Sequence, residues 1–295
     1  MNNYILDQIK NEEAKSLLIR ATNYQAEILN TNLKNELIDR STPVVWFGDP
    51  SPKNWVTIAT NPSTREFLDG KDGLLLAGNA RFYVREQGVS LEEYVENDIL
   101  LNKTIEYYCS YFHRETAYRN WFGKPDGARL EGLLNGMGGS LYDIKDFSRV
   151  IHTDFFPIAT RSQMGKIKTK QDILNSPFAK NFLRDVLKFL EPSLIIILGK
   201  EHCRRFEDWE QEVHFGTLES ANEFPNAKYQ IGFHSRLNIP VVGLHFKPSE
   251  QFIGLGGRTV GNGKSHGSYA KKISLNTIGQ EIMNSLQKQF PNYLF

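Results

Sequence analysis

Cysteine is scarce in this chain of 295 residues, which has only Cys109 and Cys203. Two thiols cannot form a four-cysteine zinc or iron–sulfur site, so those metalloprotein classes are excluded. A disulfide-stapled fold is also not expected, and low cysteine usage is typical of a reducing compartment. The sequence therefore predicts a cytoplasmic protein without a metal or another cofactor.

Long apolar runs and an excess of one charge are also missing. No apolar run approaches the roughly 18 residues of a membrane-spanning helix, and the start M-N-N-Y-I-L-D-Q lacks the basic and apolar regions of a signal peptide. The formal net charge is +1, so any site for a polyanion must be a local cluster of cations. We expect a monomer that does not associate with membranes.

Glycine-rich nucleotide signatures are absent too. The chain contains neither G-x-x-x-x-G-K-[ST] nor G-x-G-x-x-G, the loops that hold phosphates in nucleotide-binding folds. The pair Gly199-Lys200 is a weak substitute for such a loop. A nucleotide-handling enzyme therefore stays open as a minor alternative.

Four apolar segments alternate with helical patterns, and this alternation predicts a parallel sheet covered by helices. The segments are residues 56–59, 149–155, 193–198 and 239–244. Residues 3–39 have helical spacing of their apolar side chains. We therefore predict a three-layer α/β/α domain with a four-stranded parallel sheet over residues 41–295, and a helical N-terminal extension over residues 1–40 that packs on it.

Polar residues follow the predicted strands at their carboxyl ends, where open α/β sheets bind ligands. These residues are Asn61, Asp154, Lys200 and His245. Because parallel strands end at one edge of a sheet, we expect the four side chains at the same edge. The plainer interpretation of Asn61 is a turn residue, and that of His245 is a buried histidine bonded to a carbonyl group.

Four short motifs occur in a fixed order along the chain. They are Ala59-Thr60-Asn61-Pro62-Ser63, Asp154 with Pro157 after it, the apolar run ending at Gly199, and His245-Phe246-Lys247-Pro248-Ser249. With these motifs the chain resembles the uracil-DNA glycosylase superfamily over about residues 43 to 260. The chain departs from the family in two places. The glycine before the catalytic position is Ala59 or Thr60 here, and two residues separate His245 from Pro248.

The resemblance implies a monofunctional DNA glycosylase, which hydrolyses the N-glycosidic bond of a base extruded from double-stranded DNA. It implies that Asn61 holds the attacking water and that His245 donates a hydrogen bond to the leaving base. Residues expected at the base are Thr60, Phe82, Tyr83 and Asp154. Residues expected at the DNA backbone are Ser63, Lys200, Arg204, Lys247, Ser249 and Lys264.

Asp154 bears on the identity of the base. In the uracil-cleaving members of the superfamily that this chain resembles, the matching position looks like an asparagine. Its amide can both donate a hydrogen bond to uracil and accept one from it. A carboxylate only accepts hydrogen bonds, which suits the exocyclic amine of cytosine. We therefore expect a modified cytosine, such as glucosylated hydroxymethylcytosine in phage DNA, and a role in antiviral defence. Uracil repair and a catalytically silent member that binds DNA or protein are the alternatives.

Two further carboxylates are candidates near the first motif. Asp49 lies in Gly48-Asp49-Pro50, and we interpret it as a turn residue because the better strand follows it. Glu66 is either a carboxylate that supports the site or an acid in the first turn of a helix, where negative charge is favourable.

Overall fold

The structure, a computed structural model, describes residues 6–250, 258–259, 265–266 and 269–293. The chain divides into two compact units that are built from interleaved segments. Unit 1 comprises residues 1–52, 60–117 and 151–191, and unit 2 comprises residues 53–59, 118–150 and 192–295. Residues 1–40 all belong to unit 1, and the expected boundary after residue 40 stays a prediction.

The described residues form a mixed α/β protein. Its α-helices are α1 (Gln8–Ile28), α2 (Leu91–Val95), α3 (Asp98–Cys109), α4 (Arg119–Phe122), α5 (Leu130–Met137), α6 (Lys170–Leu174), α7 (Pro177–Leu190), α8 (Lys200–Trp209) and α9 (Lys272–Gln289). Its strands are β1 (Trp55–Ala59), β2 (Gly139–Ser140), β3 (Ser148–Asp154), β4 (Leu194–Leu198), β5 (Val213–Phe215), β6 (Glu219–Ala221), β7 (Phe224–His234), β8 (Ile239–Leu244), β9 (Arg258–Thr259) and β10 (Ser265–His266). Short 3₁₀ helices include Thr64–Glu66 and Tyr111–His113. In this described part, no helix is long and apolar enough to cross a membrane.

The central sheet is mostly parallel. Its strands follow the order β2-β3-β1-β4-β8-β7-β5, with β6 paired to β7. The pairs β2–β3, β1–β4 and β4–β8 are parallel, whereas β7 runs antiparallel to its neighbours β5, β6 and β8. The four strands predicted from the sequence lie side by side as β3, β1, β4 and β8. The predicted number was too low, because the described residues give this sheet eight strands.

The parallel centre of the sheet forms because its strands are apolar throughout. Every residue of β1, β4 and β8 is buried, as expected for strands covered on both faces. Trp55 pairs in register with Leu194, and Ile195 pairs with Val241. The ends of these three strands are therefore held at one edge of the sheet.

In unit 2, helices cover both faces of β7. The Tyr229 hydroxyl lies 3.1 Å from Ser285 Oγ on α9, whereas the next residue, Gln230, lies beside α8 in a pocket. Neighbouring residues of a strand point to opposite faces. The two helices therefore pack on opposite sides of this strand.

Helices α5 and α9 of unit 2 touch through their backbones. A Cβ atom added at Gly136 would lie 2.2 Å from the Asn276 carbonyl oxygen, and one added at Gly279 would lie 2.3 Å from the Leu133 carbonyl oxygen. Glycine is therefore required at both positions for the observed approach of the two helices.

In unit 1, α1 packs against α7. Tyr24 stacks on Phe178 with ring centroids 3.8 Å apart, and Arg20 pairs with Asp185 at 2.9 Å. Ser176 caps α7 and Pro177 occupies its first turn, which is a common order at the start of a helix. These contacts join the N-terminal helix to the body of unit 1.

The sequence Ser90-Leu91-Glu92-Glu93 is typical of a capping box and predicts one helix toward Phe112, but the structure divides this stretch into two helices. Ser90 and Glu93 form the expected capping box of α2. The helix then breaks at Asn97, whose side chain accepts hydrogen bonds from Ile99 N and Leu100 N and starts α3. The predicted single helix is interrupted because Asn97 acts as a second N-cap.

Candidate functional site

Asn61 lies in unit 1, two residues after the end of β1, and is half-buried. Its Nδ2 donates to Thr160 Oγ1 at 3.1 Å and to the Ile158 carbonyl oxygen at 3.2 Å, and lies 3.3 Å from the Pro62 carbonyl oxygen. These acceptors fix the orientation of the amide. The carbonyl oxygen Oδ1 is left as the atom that can accept a hydrogen bond from a water.

Asp154 is the last residue of β3 and its side chain is buried. Its Oδ1 lies 3.5 Å from His152 Nε2 and has no hydrogen-bond partner in the described part of the chain. The two side chains share a face of the strand, as their spacing predicts. A buried acceptor without a donor is costly. Because Oδ1 is closed to solvent, a ligand can satisfy it only if the surrounding side chains move.

Glu66 brings a second buried carboxyl group into unit 1. It ends the 3₁₀ helix Thr64–Glu66, is only 2% exposed, and accepts a hydrogen bond of 2.7 Å from the Tyr111 hydroxyl at Oε2. Burial raises the pKa of Glu66 to about 8, and the negative charge of Asp154 adds to this effect. Glu66 is therefore mostly protonated at pH 7.

The sequence left two interpretations open for Glu66. The structure places it in the first turn of the 3₁₀ helix Thr64–Glu66, as the second interpretation has it, but with its carboxyl group buried. A supporting role in the site stays a prediction. The neighbouring sequence carried one usable signal, since Glu66 directly precedes Phe67 and Leu68, which are both buried. Its partner Tyr111 is 45 residues away, and no local pattern predicts that contact.

Two arginines near this acid bond to main-chain carbonyl groups. Arg81 Nε donates to the Thr116 carbonyl oxygen at 2.7 Å, and Arg114 donates to the Tyr107 carbonyl oxygen at 2.9 Å. Their positive charges act to lower the pKa of Glu66, but burial outweighs them. The cations therefore fix the surrounding loops without ionising the acid.

The aromatic residues predicted to contact the base are buried. Phe82 is fully buried and stacks on Tyr111 at 4.9 Å, with Phe47 edge-on at 5.0 Å. Tyr83 is 4% exposed and stacks on Tyr94 at 6.1 Å. Stacking of either ring on a base requires this aromatic cluster to open, and their role at the base stays a prediction.

Thr60 and Ser63 flank Asn61 on either side. Thr60 is half-buried, and its carbonyl oxygen accepts a hydrogen bond of 3.1 Å from Phe156 N. Ser63 is exposed and its Oγ accepts from Arg65 N at 3.2 Å, which caps the short 3₁₀ helix. The expected roles of Thr60 at the base and of Ser63 at the DNA backbone stay predictions.

In unit 2, Lys200 and His245 line the same pocket, of about 320 Å³. Lys200 begins α8 directly after Gly199, whose φ of +112° suits glycine. Arg204 follows one turn later and also lines the pocket. Three of the residues predicted for the site therefore come together within unit 2.

The hydrogen-bond network around His245 defines its tautomer. Gln230 Nε2 donates to the Gly216 carbonyl oxygen at 2.9 Å, so Gln230 Oε1 accepts from His245 Nε2 at 2.8 Å. Burial lowers the pKa of His245, with Lys200 and Arg204 contributing, so the ring is neutral at pH 7. Its Nδ1 is then an acceptor, and the predicted donation to a leaving base requires the bond to Gln230 to break.

Lys247 and Ser249, two further residues expected at the DNA backbone, have partners within the protein. Lys247 pairs with Glu250 at 3.0 Å. Ser249 is buried, and its Oγ accepts from Leu130 N at 3.0 Å at the start of α5 while donating to the Trp121 carbonyl oxygen. The bonds of Ser249 are those of a structural cap. Lys264 lies outside the described residues.

Comparisons with known proteins identify no relative, so the function has to be inferred from the site. No protein-family model matches the chain, and no curated protein matches it. Within the described residues, no three histidine, cysteine or carboxylate side chains are grouped so that they could hold a metal ion.

Proposed function

We propose that this protein is a monofunctional DNA glycosylase with a three-layer fold like that of uracil-DNA glycosylases. One observation carries the proposal: all four motif positions lie at carboxyl ends of adjacent strands. Asn61 follows β1, Asp154 ends β3, Gly199 follows β4 and His245 follows β8. Sites of α/β proteins occupy such strand ends.

Asn61 supplies the water. Cleavage of an N-glycosidic bond develops positive charge on the sugar and negative charge on the departing base, and fixed dipoles stabilise both. The amide of Asn61 is held by Ile158 and Thr160 with Oδ1 free to orient a water. An amide activates water less strongly than a carboxylate, so slow turnover is expected.

Asp154 recognises the base. Its Oδ1, which lacks a hydrogen-bond donor among the described residues, suits a base that donates a hydrogen bond, as the exocyclic amine of cytosine does. The protonated Glu66 adds no second negative charge beside it. The proposed substrate is therefore a modified cytosine in double-stranded DNA, such as glucosylated hydroxymethylcytosine of phage genomes, and the proposed role is antiviral defence.

The test is an excision assay on four duplexes that differ in one base. They carry uracil, cytosine, hydroxymethylcytosine or glucosylated hydroxymethylcytosine, and release of the base is detected as an alkali-labile site. Asn61→Ala should lower the single-turnover rate by about 100-fold or more, the usual size of a lost group that activates water. Asn30→Ala, which changes an exposed asparagine of unit 1, should leave the rate unchanged.

Each alternative gives a distinct result in this assay. Release of uracil alone would contradict the modified-cytosine substrate and indicate a uracil-DNA repair glycosylase. DNA binding without release of any of the four bases would indicate a silent member. Unchanged cleavage in Asn61→Ala would remove Asn61 from catalysis.

A further inference from the structure

The pocket of unit 2 lies between one face of α8 and the antiparallel part of the sheet. Residues of α8 spaced by three and four positions form one wall: Lys200, Cys203, Arg204 and Glu207. The other wall is formed by Phe215, Leu218, Gln230 and His245. Its volume of about 320 Å³ is at the lower end of the range for small-molecule sites.

Phe215 forms an aromatic floor in this pocket. A Cβ atom added at Gly232 would lie 2.9 Å from Phe215 Cδ1, and one added at Gly243 would lie 3.0 Å from Phe215 Cε1. Two glycines on neighbouring strands therefore let the ring lie close against the sheet. The ring is half-buried, and Leu218 beside it is 44% exposed. Together they offer an apolar surface to a flat ligand.

Positive charge gathers at one end of the pocket. Lys200 is exposed, begins α8 and forms no ion pair with a carboxylate of the described chain. Arg204 has only an exposed partner, Glu201, at 3.6 Å. The positive end of the helix adds to this potential. The lowered pKa of His245, to which Lys200 and Arg204 contribute after burial, reflects the same field.

Polar groups complete the remaining edge. Gln230 is fixed by its bonds to Gly216 and His245, which leaves His245 Nδ1 as an acceptor. Glu207 is exposed and lines the same pocket. An aromatic floor, acceptors along one edge and two cations at one end together match a flat, amine-bearing ring that is joined to an anion.

We propose that this pocket binds a nucleotide, with the base on Phe215 and Leu218 and the phosphate at Lys200 and Arg204. Glu207 accepts a hydrogen bond from the exocyclic amine of the base. Lys200, Arg204 and His245 line this pocket and are also expected in the glycosylase site, so the inference rests on the proposed function and deepens it by naming a nucleotide subsite in unit 2. Asn61 and Asp154 do not line it. The nucleotide is either free or a unit of single-stranded DNA, in which bases stack on aromatic side chains and phosphates meet cations in the same way.

The experiment is calorimetric titration of the whole protein with dCMP, deoxycytidine, inorganic phosphate and a four-nucleotide oligo(dC). dCMP should bind more tightly than deoxycytidine or phosphate alone. Lys200→Ala and Arg204→Ala should each weaken dCMP binding about tenfold, the effect of one lost charge-assisted hydrogen bond. Lys288→Ala removes an exposed lysine outside the pocket and should change nothing.

A second pair of variants isolates the aromatic floor. Phe215→Leu keeps an apolar side chain but removes the aromatic face, so dCMP should bind about tenfold more weakly while phosphate binds as before. Phe233→Leu is the matched control, because Phe233 lies on the same sheet and packs on Phe290 instead.

The outcomes separate this site from the proposed activity. Tighter binding of oligo(dC) than of dCMP assigns the site to single-stranded DNA, and equal binding assigns it to free nucleotides. Asn61→Ala should bind dCMP as the unchanged protein does, whether or not any base is excised. Absence of dCMP binding, or dCMP binding that Lys200→Ala and Phe215→Leu leave unaltered, would overturn the inference.

Discussion

The Tyr111 hydroxyl donates a hydrogen bond of 2.7 Å to Glu66 Oε2 inside unit 1. Burial raises the pKa of Glu66 from 4.5 to about 8, so the folded protein keeps a proton that the unfolded chain releases above pH 4.5. Stability then falls as the pH rises through this window, because the native state binds more protons.

We expect the free energy of unfolding to lose about 1.4 kcal/mol per pH unit through Glu66 between about pH 5 and 8. Glu66→Gln keeps an acceptor for Tyr111 and carries no proton to lose. Urea unfolding at several pH values should give a difference between the two proteins that changes with this slope. Parallel curves would show that Glu66 is ionised in the folded protein.

Tyr111→Phe is expected to shift the pKa of Glu66 in the same direction as the loss of Arg81 or Arg114 would, because the hydroxyl and both cations lower that pKa. The hydroxyl stabilises the ionised form and lowers the pKa of Glu66, so its removal should raise that pKa further. The loss of stability with pH should then extend above pH 8. An unchanged upper limit would argue that the hydrogen bond does not persist in solution.

Asp154→Asn should move base preference toward uracil. An amide can both donate and accept, whereas the carboxylate of Asp154 only accepts. The ratio of uracil to modified-cytosine excision should rise by about tenfold or more, the value of one well-placed base contact. Asp172→Asn changes an exposed aspartate of α6 and serves as control. An unchanged ratio would remove Asp154 from base recognition.

Ser249→Ala should destabilise unit 2. Its Oγ accepts from Leu130 N at the first turn of α5, and loss of a helix cap lowers the free energy of unfolding by about 1 kcal/mol. Ser220→Ala, at an exposed position of β6, should have little effect on denaturant unfolding. Weaker DNA binding with unaltered stability would restore the phosphate contact that the sequence suggested for Ser249.

The parallel strands could be predicted from the sequence because their signal is local. Each is a short apolar run bounded by turn residues, and β4 needs no partner to be identified as a buried strand. The antiparallel part could not be predicted in the same way. In β7, Pro225, Asn226 and Gly232 are typical of turns. Gly232 pairs with Val241 of β8, and Pro225 and Asn226 lie in the part of β7 that pairs with β6, so strand pairing overrides the local preference.

The site could be predicted in part for a similar reason. Strand ends placed Lys200 and His245 beside one pocket, because sheet geometry dictates where parallel strands finish. Three features depend on residues far away in the chain: the protonation of Glu66, the cap that Ser249 forms on α5, and the position of Phe215 in the pocket. Local patterns carry no information about such contacts.

The backbone contact between α5 and α9 has a consequence for synthesis of the chain. Leu130, Leu133 and Leu134 of α5 are buried, and α9 at Lys272–Gln289 packs against that helix. All segments of unit 1 have been synthesised once Glu191 is added, whereas unit 2 lacks α9 until Gln289 is added. Domains fold as their residues emerge. A ribosome stalled before α9 should therefore carry a folded unit 1 and an unfinished, chaperone-dependent unit 2.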